Sequence, residues 1–272
     1  MVELAPHNPY GLTLRRPVLA AAGCFGYGVE YARLVDIAGI GAIVTRSTTL
    51  HGRRVARPPR LIETPAGVLA AGAWPDPGLA RVIERHAPVW AGWDTPVLLS
   101  LIGATPEEYA AFAAALEGVE GIAGLELNLA AHSEQAARIV AAARAATQLP
   151  LLAKLGHPEG ASHGLAALAR AVVDAGADAV VAIGSPRGMA IDPQSGQPVE
   201  GRLSGPALRP LVLALVADVA AAVSAPVIGC GGIATSEDTR QFLAAGAAAV
   251  QIGVALLSDP SAAARIGDEL ER

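Results

Sequence analysis

The sequence predicts an α/β protein: a (β/α)8 TIM barrel with an N-terminal hairpin and extended loops after its second and sixth strands. Three observations predict it. Short β-branched or apolar runs alternate with Ala-rich amphipathic stretches along nearly the whole chain, the pattern of repeated βα units on a parallel sheet. Eight such runs occur, at residues 18–21, 42–45, 97–101, 124–128, 151–154, 179–183, 227–229 and 249–252. The length of 272 residues suits one barrel, so a single domain over 1–272 is expected.

Taken in order, residues 1–16 hold two short extended pieces around an Asn8-Pro9-Tyr10-Gly11 turn, which predicts a hairpin capping the barrel floor. Helices are expected at about 28–38, 79–90, 106–118, 134–147, 163–175, 208–223, 236–245 and 260–270. Thr105-Pro106 and Thr235-Ser236-Glu237 are start signals, a threonine cap followed by proline or by an acidic first turn. Ala175-Gly176-Ala177 and Ala245-Gly246-Ala247 place glycine just past a helix end, the usual stop before the next strand. Residues 46–77, rich in Arg and Pro, form a long loop after the second strand. Residues 184–206 form another after the sixth, where Pro193-Gln194-Ser195-Gly196 predicts a hairpin turn. Both loops follow strands, so they lie at the C-terminal face, where barrel active sites are built.

Composition narrows the function. With 52% hydrophobic and 17% charged residues and a mean hydropathy of +0.42, the chain buries much of itself and is expected to form a homodimer through its upper-face loops. The net charge of -5, with both signs interspersed, excludes the basic stripe that nucleic acid or an anionic membrane requires. Apolar runs are strand-length or broken by charge and no leader pattern opens the chain, so a soluble, cytoplasmic protein is expected. Cys24 and Cys230 lie far apart and the six histidines show no HxH or HxxxH spacing, which fits a reducing compartment and no metal site.

Of twenty basic residues nineteen are Arg, and Lys154 is the one Lys. Arg and Lys are not interchangeable where a compact ammonium must fit a confined site, which marks Lys154 as a site candidate. The strand ends at the upper face supply Gly23, Thr45-Arg46, Ser100, Asn128, Lys154, Gly184-Ser185, Gly231-Gly232 and Gly253. Gly229-Cys-Gly-Gly232 after the seventh strand and Gln251-Ile-Gly253-Val254 after the eighth place glycine where backbone N–H groups can approach a phosphate. Tight turns alone are the alternative for these glycines.

Several strings, in this order, resemble the soluble class 1 dihydroorotate dehydrogenase family over almost the whole chain. They are Gly23-Cys-Phe-Gly26-Tyr-Gly28, Ile43-Val-Thr45-Arg-Ser47-Thr-Thr-Leu50, Glu63-Thr-Pro-Ala-Gly67 with Asp76-Pro-Gly78, Ala153-Lys154-Leu155, Gly188-Met-Ala-Ile-Asp192, Leu203-Ser-Gly-Pro206, Ile228-Gly-Cys-Gly-Gly232 and Ala249-Val-Gln-Ile-Gly253. The resemblance implies FMN across the barrel top, with Lys154 near the flavin N1/C2 edge, where a positive charge stabilises the anionic reduced flavin. It also implies a cofactor set of Gly23, Arg46, Ser47, Ser100, Asn128, Lys154, Ser185, Gly205, Gly231, Gly232, Gly253 and Val254. An electron-transfer partner subunit, used by some class 1 relatives, and a small-molecule substrate follow from the same resemblance.

The substrate side departs from the family. Family members resemble one another in a string N-[IL]-S-C-P-N after the fourth strand, whose Cys removes a proton from dihydroorotate as hydride leaves for the flavin. Here the string is Asn128-Leu-Ala-Ala131-His-Ser133, so Ala131 stands at the base position, and the mobile loop that follows is largely deleted. Ala70, Gly184 and Ser100 stand where the family has polar amides, and Arg46 stands for a lysine. His132, beside the lost base, is a candidate replacement, and a solvated histidine at the next helix start is the alternative. His157 is a second candidate. Arg46, Arg53, Arg54, Arg57 and Arg60 crowd one loop and could grip an anion. Trp74 is the best-placed aromatic for stacking on a ligand, whereas Trp90 and Trp93 read as packing residues and Cys24 and Cys230 as small residues under the flavin. Three functions follow: an FMN-dependent oxidoreductase of the family with an altered substrate site, a working dihydroorotate dehydrogenase using His132 as base, or a non-catalytic flavin-binding or scaffold protein.

Overall fold

The computed structural model describes residues 1–55, 57–72, 74–157 and 163–272. Eight parallel strands, Val18–Ala20, Ala42–Val44, Val97–Leu101, Gly124–Asn128, Leu151–Lys154, Ala179–Ala182, Val227–Cys230 and Ala249–Ile252, form a closed barrel. Closure is made by the eighth strand on the first, Val250 beside Val18. The sequence expected all eight.

Side chains alternate along each strand, so every strand serves two cores. Leu19, Leu98, Leu152, Val181 and Ile228 point into the barrel and pack in one buried cluster. Val18, Leu99, Ala153, Val180 and Val250 point outward and pack with the helices. Burial on both faces explains why these runs read as continuously apolar rather than alternating.

The barrel floor is closed by the expected hairpin, Val2–Glu3 paired antiparallel with Thr13–Leu14. Leu4, Leu12 and Leu14 are buried in the same cluster as the inward layer of the strands. The Glu3 carboxylate accepts the backbone N–H groups of Ala5 and Leu12 at 2.8 and 2.7 Å, which fixes the turn that carries them.

Seven of the eight expected helices form: Leu79–Trp90, Pro106–Leu116, Ala136–Ala146, His163–Asp174, Arg209–Ala220, Ser236–Ala244 and Ala262–Leu270. Thr105 caps its helix by accepting the N–H of Glu108, and Thr235 and Asp238 close a reciprocal capping box. The helix expected at 28–38 does not form. That segment is a series of turns ending in a 3-10 turn, Ile37–Gly39, because local contacts compete with helical bonding: Glu30 turns back to the N–H of Tyr27 at 2.9 Å and Tyr31 stacks on Phe25 at 4.7 Å. A short helix, Ala255–Ser258, follows the eighth strand unforeseen.

The two long loops are not independent. The loop after the sixth strand folds into the expected hairpin, Arg187–Ile191 with Pro198–Ser204. The loop after the second strand contains an unexpected hairpin, Leu61–Thr64 with Gly67–Ala70. Strand Gly67–Ala70 pairs with Pro198–Ser204, and one four-stranded antiparallel sheet results. Gly201 permits the pairing, since a Cβ there would lie 2.4 Å from the carbonyl oxygen of Ala70.

Leu14 is fully buried at the floor. Leu14→Ala is therefore expected to lower stability by about 2–5 kcal/mol, read from urea unfolding, with the far-UV spectrum retained.

Candidate functional site

A cavity of ≈ 550 Å³ lies at the strand C-terminal ends, bordered by the sheet made from the two long loops. Lys154, Asn128 and Ser47 border it from the strand ends. Gly231, Gly232, Gly253 and Val254, from the loops after the seventh and eighth strands, border it together. Leu61, Val68, Ala70, Trp74, Arg202 and Ser204 border it from the added sheet and its approach.

Beneath the cavity is a buried polar network. Glu126, Ser100 and Gln251 are fully buried inside the barrel and Lys154 nearly so. The Lys154 ammonium donates to Gln251 Oε1 at 2.8 Å and lies 3.6 Å from Glu126 Oε2. Gln251 Nε2 donates to that same carboxylate oxygen at 2.7 Å, and the Ser100 hydroxyl donates to Glu126 Oε1 at 3.1 Å. Ser100 meets Ser47 at 2.9 Å, and Ser47 accepts from Asn128 Nδ2 at 3.3 Å. Burial works against the charge on Lys154, Cys230 and Glu126 favour it, and the balance holds its pKa above the ordinary lysine value.

Arg46 also lines the cavity. Its guanidinium carbon lies 6.0 Å from the Tyr27 ring centre and 5.8 Å from that of Trp74, and one terminal nitrogen donates to the carbonyl of Pro75 at 3.3 Å. Its Nε is buried with no hydrogen-bond partner. Arg53 also reaches the cavity but is paired with buried Asp76 at 3.1 Å. Arg54, Arg57 and Arg60 are not among the lining residues.

Of the twelve residues expected around a cofactor, eleven line this cavity: Gly23, Arg46, Ser47, Asn128, Lys154, Ser185, Gly205, Gly231, Gly232, Gly253 and Val254. Ser100 sits one layer below, between Ser47 and Glu126. Trp74 lines the cavity, whereas Trp90 is buried and donates its indole N–H to the carbonyl of Tyr27 at 3.0 Å. Cys24 and Cys230 both line the cavity as thiols, burial and the nearby Cys230 pushing Cys24 up to about 11 and burial raising Cys230.

Where the resemblance places the base, the wall is Ala130 and Ala131. His132 is half-buried, begins the short turn before the next helix without capping it through its side chain, and lies edge-on to Tyr109 with ring centres 6.4 Å apart. Neither His132 nor His157 is among the lining residues. Among the described residues that line the cavity, none is acidic and none is a histidine. No group of three or more His, Cys, Asp or Glu among the described residues could hold a metal ion.

Glu126 and Gln251 were not singled out by the sequence. Each sits between apolar neighbours in its strand, and a charged residue flanked by Leu125 and Leu127 was the available signal.

A family model described as dihydroorotate dehydrogenase matches residues 5–272. The chain is 41% identical to the dihydroorotate dehydrogenase B (NAD(+)) catalytic subunit of Pelobacter propionicus, covering 97% of this chain and 91% of that one. It is 41% identical to the protein of the same description from Desulforudis audaxviator, over 96% of this chain and 90% of the other. The corresponding protein of Geobacillus kaustophilus is 37% identical, over 96% and 87%.

Gly232 adopts φ +77°, and a Cβ there would meet the backbone nitrogen of Arg209 at 2.7 Å. Gly232→Ala is expected to cost about 1–3 kcal/mol of unfolding free energy in urea titration while disturbing the loop after the seventh strand.

Proposed function

The chain belongs to the dihydroorotate dehydrogenase family, and from that premise we propose that it is an FMN-dependent oxidoreductase of that family with an altered substrate site. The observation that carries the altered site is the wall of Ala130 and Ala131, in a cavity whose described lining offers neither a carboxylate nor an imidazole.

The residues present fit FMN. Gly231, Gly232, Gly253 and Val254 would hold the phosphate through backbone N–H groups. Lys154 and Asn128 would hold the ring edge as hydrogen-bond donors. When bound, FMN supplies the capacity to accept and release a hydride equivalent. Lys154 contributes positive charge from a side chain that is itself nearly buried, where it acts more strongly than in solvent.

Oxidising dihydroorotate also requires a proton to leave the neighbouring carbon, and a positioned base typically contributes about 10²–10⁴-fold to such a step. Ala131 cannot take a proton, and the thiols of Cys24 and Cys230, raised by burial, are poor acceptors near neutrality. The substrate we infer is a small molecule whose oxidation needs no base at Ala131. The relatives are catalytic subunits of NAD(+)-linked enzymes, which supports an electron-transfer partner subunit for this chain as well. A homodimeric, cytoplasmic protein with one FMN-binding domain over residues 1–272 completes the proposal; no described helix is long and apolar enough to cross a membrane. A second reading, dihydroorotate turnover with His132 as base, is favoured by one observation, the position of His132 directly after the cavity-lining Ala131.

Anaerobic mixing of the FMN-loaded protein with excess dihydroorotate is expected to bleach the oxidised flavin band slowly or not at all, while dithionite bleaches it readily. Rapid bleaching would favour the second reading, and its loss in His132→Ala would place the base there. Purified protein that is colourless and binds no added FMN would sink both. Lys154→Ala is expected to weaken FMN binding about tenfold to a hundredfold in fluorescence titration, the worth of a charge-assisted hydrogen bond.

A further inference from the structure

Every polar side chain at one side of the cavity is hydrogen-bonded, directly or through one neighbour after another, to a single carboxylate that the reading above does not use. We propose that Glu126 is a positioning residue, an inward-facing anion that fixes Lys154 on one arm and Asn128 on the other as hydrogen-bond donors toward the bound cofactor. The inference rests on the FMN reading of the site.

The sense of each bond follows from what an ionised carboxylate can do, which is accept only. Ser100 lies 3.1 Å from Glu126 Oε1 and must donate its one hydroxyl hydrogen there. Ser100 can then only accept from Ser47 at 2.9 Å, and Ser47, its own hydrogen engaged, can only accept from Asn128 Nδ2 at 3.3 Å. Asn128 Oδ1 accepts the backbone N–H of Ala130 at 3.3 Å, so the amide is locked with its NH2 end toward Ser47 and a second N–H left over. On the other arm, Gln251 Nε2 donates to Glu126 Oε2 at 2.7 Å, which turns its carbonyl oxygen to the Lys154 ammonium at 2.8 Å. A reversed Gln251 would set an NH2 group against that ammonium. Both arms therefore present donors, and the ligand edge that suits them is one of acceptors.

The titratable groups around Lys154 are Glu126 on the fourth strand, Cys230 on the seventh and Cys24 on the loop after the first. Both thiols are raised by burial and stay neutral near pH 7, so Glu126 is the anion that offsets the desolvation of the ammonium. Removing its charge should lower the lysine pKa, and a lysine loses its charge as pH rises through that value. The measurable consequence is a pH dependence of cofactor binding that the wild type lacks.

The test is FMN titration by fluorescence at about pH 7 and about pH 9 with wild type, Glu126→Gln and Glu126→Asp. Wild type and E126D, which keeps the charge, are each expected to bind equally well at the two pH values, while E126Q binds roughly tenfold or more weakly at the higher pH. A packing role would weaken E126Q equally at both pH values, and parallel curves would overturn the inference. If E126Q does not fold, the apoproteins of Lys154→Met and of the double variant Lys154→Met/Glu126→Leu decide it by thermal melting. The single variant leaves a lone buried carboxylate and should melt below the double; an equal or higher melting point would count against the pair. A wild type that binds no FMN overturns the cofactor reading and this inference with it, whereas a binding wild type with a flat E126Q profile overturns this inference alone.

Discussion

The ion pair of Glu126 and Lys154 inside the barrel constrains everything built around it. Two ions removed from water carry a desolvation penalty of several kcal/mol each, tolerable only when the remaining bonding positions are filled. Filling them takes side chains from four strands: Ser100 from the third, Glu126 from the fourth, Lys154 from the fifth and Gln251 from the eighth. Strand register sets their level, with Ser100 beside Glu126, Asn128 beside Lys154 and Cys230 beside Gln251. A slip of one residue in any of these strands would turn its member of the network outward among the helices. The apolar layer below and the cavity above follow from the same alternation, and the hairpin at the floor keeps water from reaching the pair from beneath.

The barrel was legible because its strands announce themselves locally. Runs such as Val97–Leu101 and Ala249–Ile252 are apolar on both faces, and the helices between them open with Thr105 and Thr235. Two features were not legible, for different reasons. The segment at 28–38 has helical spacing, but aromatic stacking of Phe25 on Tyr31 and the bond from Tyr27 to Glu30 offer closer partners than a helix would. The hairpin at 61–70 is short and gains part of its pairing from a strand far along the chain, so nothing within its own sequence declares it.

The site divides in the same way. Glycines after the seventh and eighth strands and the solitary lysine were visible because their residue types are uncommon for their surroundings. Glu126 and Gln251 were hidden because a strand pattern does not say which inward position meets which across a barrel; only the register does. Ala130 and Ala131, which the sequence placed after the fourth strand, stand as methyl groups at the cavity wall.

The sheet that borders the cavity joins the loop of the second barrel strand to that of the sixth, Ala70 beside Arg202. Its order of assembly is therefore set by chain topology. During synthesis the first hairpin emerges early and can pair only with itself, exposing an unsatisfied edge until the later strand arrives. Contacts of such long sequence separation form slowly, and barrel closure, with Val18 beside Val250, spans a longer separation still. Both strands of the cover precede the eighth barrel strand in the chain, so the roof of the cavity can pair before the wall beneath it is complete.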